Sequence, residues 1–153
     1  MAIPEQLSAL EGNWSGTNRL NLSFMPDPIF ESPSIAVVRQ RANGTCLEIE
    51  YDWTYEGERC EGFIIISSGK NGAAGAVWTD SWHSKNVLMT CVGEVTGSGG
   101  VDLKGHYKVE GHPDWGWRTE IVPGGDSFKY LMFNVSPEGA EEWAVETEFA
   151  TTK

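Results

Sequence analysis

Apolar and polar residues alternate with a period of two along much of this chain, the spacing of a pleated strand that has one dry face and one wet face. In Leu47-Glu48-Ile49-Glu50-Tyr51-Asp52-Trp53 every second residue is apolar and carboxylates stand between them. The rhythm returns in Glu142-Trp143-Ala144-Val145-Glu146-Thr147-Glu148-Phe149. It also runs through Val101-Asp102-Leu103-Lys104-Gly105-His106-Tyr107-Lys108-Val109, where His106 shares a face with an aspartate and two lysines and so reads as a solvent-side histidine. Between the segments lie clusters of turn-forming residues at 26–28, 43–44, 56–57, 69–72, 84–86, 97–100, 111–114, 123–126 and 137–139. Nine such breaks predict ten strands, each rich in the β-branched and aromatic residues that suit a pleated surface. Asn43-Gly44 supplies the positive φ that a tight hairpin needs. Residues 5–10 alone read as helical, a short turn able to plug one end of a barrel.

Ten consecutive strands joined by short turns form a meander, and a meander leaves two unpaired edges unless it closes on itself. The expected fold is therefore all-β: a closed antiparallel up-and-down barrel of about ten strands with a short N-terminal helical turn, one domain over residues 1–153. A sandwich of two sheets is the alternative. Closure is preferred because the sequence offers no long Greek-key connection, and because Gly16, Gly62, Gly75, Gly93 and Gly105 lie inside segments, where barrel strands bend sharply.

Composition narrows the function classes. The chain is 40% hydrophobic and carries seven tryptophans, which is the signature of a packed core and not of disorder. Its net charge of -11, with 11 Lys and Arg against 22 Asp and Glu, argues against nucleic acid, because phosphate binding needs a basic stripe. The longest apolar run is far too short to span a bilayer, and residues 1–10 have neither the basic start nor the apolar stretch of a secretory signal, so the expectation is a cytoplasmic protein without membrane partners. Cys46, Cys60 and Cys91 are odd in number and widely spaced, which fits free thiols better than a disulfide framework or a metal motif. The composition leaves a monomer and a homodimer both open.

The opening Leu10-Glu11-Gly12-Asn13-Trp14-Ser15-Gly16 resembles the G-x-W start of the calycin superfamily, in which the tryptophan seals the closed end of a barrel. Together with Ser81-Trp82-His83, Pro113-Asp114-Trp115-Gly116-Trp117-Arg118 and Asn134-Val135-Ser136-Pro137-Glu138-Gly139, it looks like a member of the bacterial DUF1579 family of lipocalin-like proteins. The resemblance runs from about residue 7 to residue 150. It implies the barrel, and it brings no settled activity with it. In many calycins an arginine stacks across the G-x-W tryptophan, and by residue type Arg118 is the candidate for that place over Trp14.

The chemistry gathers on Val77-Trp78-Thr79-Asp80-Ser81-Trp82-His83-Ser84. Alternation puts Trp78, Asp80 and Trp82 on one face, taken as inward, and Thr79, Ser81 and His83 on the other. An inward Asp80 must be paired, and Arg118 or Arg39 is the expected partner, either as a structural pair or as a ligand-orienting one. On the segment Trp115 to Ile121, either the tryptophans or the Arg118-Glu120 pair faces inward. His83 at a barrel mouth could serve as an acid or base, or ligate haem as in the nitrobindin branch of these barrels, but no second ligand accompanies it, so neither a metal nor a cofactor is expected. His112 reads as a solvated loop residue. The leading expectation is a binding module for a small apolar or aromatic molecule. Its candidate ligand-binding residues are Asn18, Tyr51, Trp53, Trp78, Asp80, Trp82, His83, Arg118 and Tyr130, with Leu20, Leu22 and Met132 in the lining. The rivals are an enzyme on the same barrel using Asp80 or His83 as acid or base, and a filled barrel acting only as an interaction surface.

Overall fold

In the computed structural model, which describes residues 3–152, ten strands follow one another around a closed barrel. They are β1 (Gly12–Asn21), β2 (Ile29–Arg41), β3 (Cys46–Tyr55), β4 (Glu58–Ser68), β5 (Ala73–Asp80), β6 (Met89–Val95), β7 (Val101–Tyr107), β8 (Trp115–Pro123), β9 (Ser127–Val135) and β10 (Glu141–Thr151). A short helix, α1 (Glu5–Ser8), precedes them, and a 3-10 turn at Lys70–Gly72 joins β4 to β5. Each strand pairs antiparallel with the next, and β1 closes the ring on β10, from Trp14 opposite Thr151 to Leu20 opposite Val145. The sandwich alternative is thereby excluded. All nine clusters of turn-forming residues sit at the nine strand connections.

The alternation in sequence becomes the two faces of the wall. On β3, Leu47, Ile49, Tyr51 and Trp53 are buried while Glu48, Glu50 and Asp52 face out. Outward carboxylates are matched by arginines: Arg39 bonds Glu48 and Glu50 across strands, and Arg59 bonds Asp52 on β3 and Glu61 on its own strand. Exposed pairs of this kind contribute about 0.2–1 kcal/mol each at most, so they tune register more than they hold the fold. The arrangement, apolar inside and charged outside, is the inverse of a membrane-spanning barrel. No helix among the described residues is long and apolar enough to cross a membrane. The strict alternation expected over residues 142–149 fails at one place, because Trp143 pairs with Phe133 and Val145 with Met132, leaving Ala144 as an extra residue. This bulge turns both Ala144 and Val145 inward.

One end is sealed by side chains. Leu7 of α1 and Leu10 just beyond it are buried completely, and Trp14 Nε1 donates to the Leu10 carbonyl at 2.7 Å. Trp14 meets Phe128 edge-on at 4.9 Å between centroids, and Phe128 stacks on Phe149 at 4.9 Å. The Arg118 expected over Trp14 is absent from this cluster. Trp117, Thr119 and Ile121 take the inward places on β8, so Arg118 falls on the outer face, over the Phe133 ring at 4.1 Å and bonded to Glu141, Asp102 and Glu120. The mid-barrel is filled as well: the Tyr51 and Tyr130 rings lie 4.8 Å apart, and Thr147 Oγ1 donates to Asn18 Oδ1 at 2.9 Å.

Candidate functional site

Odd-numbered strands run away from the sealed end, so the connections that follow them, at residues 22–28, 56–57, 81–88, 108–114 and 136–140, gather at the opposite end and form a mouth. The wall is incomplete there. The β6–β7 ladder runs only from Val95 opposite Val101 to Val92 opposite Lys104. Continued, the same register would bring Met89 opposite Tyr107, but Met89 to Cys91 pair only with β5 and Gly105 to Tyr107 only with β8. Gly105 makes this seam possible: a methyl group there would stand 2.6 Å from Met89 Cγ and 3.1 Å from Cys91 Sγ, which cross toward it.

A cavity of about 670 Å³ opens at the seam, between the residue 81–88 connection and the ends of β7, β8 and β9. Its walls are Trp78, Trp82, Tyr107 and Trp117 with His83, Val87 and Met89, and its rim carries Ser84, His106, Lys108 and Asn134. The volume falls within the roughly 300–1,000 Å³ usual for small-molecule sites, and the mixture of aromatic walls with few polar groups is theirs too. Trp78 and Trp117 stack at 5.3 Å, 12° from parallel, and Trp78 Nε1 donates to the Tyr51 hydroxyl at 2.9 Å. Trp117 Nε1 is buried and has no hydrogen-bond partner among the described residues.

Asp80, the last residue of β5, organises the polar side of the site. Its side chain is 1% exposed. Oδ1 accepts the backbone N–H groups of Trp82 at 3.1 Å, Ser84 at 3.0 Å and His83, while Oδ2 lies 2.7 Å from His83 Nδ1. Ser84 Oγ accepts the Asp80 N–H at 2.8 Å and lies 3.0 Å from Thr79 Oγ1, tightening the same turn. This is the way aspartate initiates turns, by taking backbone donors two to four residues on, and it satisfies a buried carboxylate without any guanidinium. The expected Asp80–arginine pair is thus replaced by Asp80–His83; Arg39 and Arg118 are both on the outer wall.

The same turn corrects the placement of His83. Alternation holds as far as Asp80, but residues 81–84 leave the ladder as a turn, and the turn carries the His83 ring inward onto the cavity wall. It sits among four tryptophans, with centroids 5.6 Å from Trp53, 6.4 Å from Trp78, 4.7 Å from Trp82 and 5.1 Å from Trp117. Against a carboxylate, which accepts only, the His83 ring presents an Nδ1 hydrogen, and in the neutral imidazole that leaves Nε2 as an acceptor. Nε2 has no partner among the described residues.

Of the residues expected to bind a ligand, Trp78, Trp82 and His83 line the cavity, and Asp80 stands directly behind His83. Trp53 touches Trp82 and His83 from the core side. Asn18, Tyr51 and Tyr130 are buried deeper in the barrel and do not line the cavity, and Arg118 is outside. The lining residues that alternation alone missed are Ser84, Val87, Met89, His106, Tyr107, Lys108, Trp117 and Asn134. His106 is exposed, as read from its polar neighbours, yet its exposed place is the cavity rim. No group of three or more His, Cys, Asp or Glu among the described residues is placed to hold a metal ion. Cys46, Cys60 and Cys91 are free.

No family model matches the chain, and no curated protein matches it. Among solved structures the chain is similar to Rv2717c from M. tuberculosis, with a TM-score of 0.66 over 99% of both chains at 13% sequence identity. A likeness at that identity is one of fold: two chains of very different sequence share this closed barrel from end to end.

Proposed function

We propose that the barrel binds a small, flat aromatic compound in the cavity at its mouth. The observation that carries this reading is the cavity itself: about 670 Å³ walled by Trp78, Trp82, Trp117 and Tyr107, beside a histidine whose free acceptor nitrogen is held in place from behind. Aromatic walls favour flat ligands through offset and edge-on contacts worth about 0.5–1.5 kcal/mol each beyond area burial. His83 Nε2 accepts a hydrogen bond from an N–H or O–H on the ligand and sets its orientation. Resemblance to the DUF1579 family belongs to the same proposal, as does a cytoplasmic location, which the three free cysteines support.

The test is tryptophan fluorescence titrated with 2-naphthol, alongside native mass spectrometry of protein purified from cells. Saturable quenching that weakens in His83→Phe, a variant that keeps an aromatic ring but removes the acceptor, is the expected result. No saturable change, together with no carried compound in the mass spectrum, would overturn the reading. Haem belongs in the titration panel, because a histidine whose Nδ1 is held by a carboxylate is the usual arrangement for an axial ligand and His83 lines the cavity. A Soret band lost in His83→Phe would identify haem as the flat ligand.

A second reading is favoured by the 2.7 Å Asp80–His83 contact, since a histidine oriented by a buried aspartate is also a general base. The serine hydroxyl nearest to it, Ser84 Oγ, is engaged by Thr79 and by the Asp80 backbone. The reaction this pair supports is proton transfer on the bound compound, and its turnover would disappear in His83→Gln while binding persisted.

A further inference from the structure

The charges at the rim run against those of the whole molecule. The protein has twice as many acidic as basic residues and a net charge of -11, yet no carboxylate lines the cavity. The ionisable side chains that do line it, apart from Tyr107, are His83, His106 and Lys108. Lys108 makes no ion pair among the described residues, and its acidic neighbours in the chain, Glu110 and Asp114, are not part of the lining. The neutral polar groups lean the same way. Tyr107 donates its hydroxyl to Asn134 Oδ1 at 2.6 Å, which turns the Asn134 amide so that its NH₂ has no partner among the described residues. An unpaired lysine and an unpaired amide NH₂ thus stand at the rim of one cavity, with two imidazoles and no carboxylate in its lining.

From this we infer that the ligand is an aromatic acid: a flat ring system held between the tryptophans and His83, with an acidic group at the rim facing Lys108, Asn134 and His106. The inference deepens the binding proposal above and rests on it. An anion approaching this protein meets overall repulsion, so a preference for an anionic ligand can arise only from these local groups. Because the rim is open to water, the local attraction is modest and is screened by salt.

The experiment compares 2-naphthoate with 2-naphthamide, which has the same shape without the charge, by calorimetry at low ionic strength. 2-Naphthoate is expected to bind about threefold to tenfold more tightly than the amide, the scale of a partly exposed charge contact. In Lys108→Gln the two are expected to bind nearly alike, through loss of naphthoate affinity alone. Raising the salt concentration should narrow the wild-type ratio as well. Equal binding of the two probes, or tighter binding of the amide, overturns the acid assignment and leaves the aromatic site standing. Failure of both probes to bind overturns the aromatic site and the acid assignment together. Retention of the full preference in Lys108→Gln overturns the role of the rim.

Discussion

Asp80 is the residue on which most of the site depends, since it accepts three backbone N–H groups of its own turn and the His83 ring from a position where water does not reach. Asp80→Ala leaves those buried donors unpaired and is expected to cost about 3 kcal/mol, the scale for losing charge-assisted bonds at a buried site, read by thermal or urea melts. Asp80→Asn acts differently. Its amide oxygen can still accept the backbone donors, but its NH₂ then faces His83 Nδ1, which must give up its hydrogen to accept. The hydrogen moves to Nε2, and the cavity gains a donor where it had an acceptor. Nitrogen-resolved NMR of the imidazole should show that exchange of tautomers in a folded protein; an unchanged tautomer would mean the 2.7 Å contact does not govern His83. At the sealed end, Trp14 is 3% exposed and both packed and hydrogen-bonded, so Trp14→Ala is expected to cost about 3–5 kcal/mol by denaturant melts, and a loss under about 1 kcal/mol would remove it from the seal.

At the scale of elements, the strands and their connections were legible because turn chemistry and a period of two are both local properties. Positive φ at Asn43, Gly44, Gly57, Gly99, Gly111, Gly125 and Gly139 coincides with the breaks that marked them. What could not be read locally was where a strand stops bending the rules. Alternation carried on to His83 runs three residues past the end of β5 at Asp80, and it pairs Asp80 with distant arginines while its real partner stands three residues on. The spacing Asp80-Ser81-Trp82-His83-Ser84 did contain the signal, an aspartate followed by backbone donors with a serine closing the turn. Most of the remaining lining residues, Met89, His106, Tyr107, Trp117 and Asn134, come from β6, β7, β8 and β9 and meet only through strand register, which no single segment specifies. The same register creates the seam between β6 and β7. Backbone amides of residues 89–91 and 105–107 that face across it lack ladder bonds, and they are expected to exchange hydrogen much faster than those of residues 92–95 and 101–104. Equal protection on both sides of Val92 would show that the seam is closed in solution.

For the whole molecule, burial of ionisable groups sets the response to alkali. Burial pushes the Cys91 thiol up to about 11 from its ordinary 9.0, and burial first, then the Asp80 charge, raises Tyr51; burial likewise raises Tyr130, Tyr107 and Tyr55. Each of these groups holds its proton more tightly folded than unfolded, so their contribution to stability is complete below about pH 9. It falls as pH rises from 9 through 11 and beyond, where only the unfolded chain ionises. Unfolding is therefore expected to become easier over that range, with tyrosinate absorbance appearing together with the loss of β-sheet circular dichroism; tyrosinate formed in a fully folded protein would contradict it. The proposed binding site rests on the asymmetry of the barrel, one end sealed on Trp14 and the other open on Trp78, Trp82 and Trp117. The most direct measurement is an NMR titration of the seven indole N–H signals with 2-naphthoate. Site binding shifts the signals of Trp78, Trp82 and Trp117 along one saturation curve and leaves Trp14 in place. Signals that all stay still at millimolar ligand, or a shift of Trp14 equal to theirs, would contradict a ligand site at the mouth of this barrel.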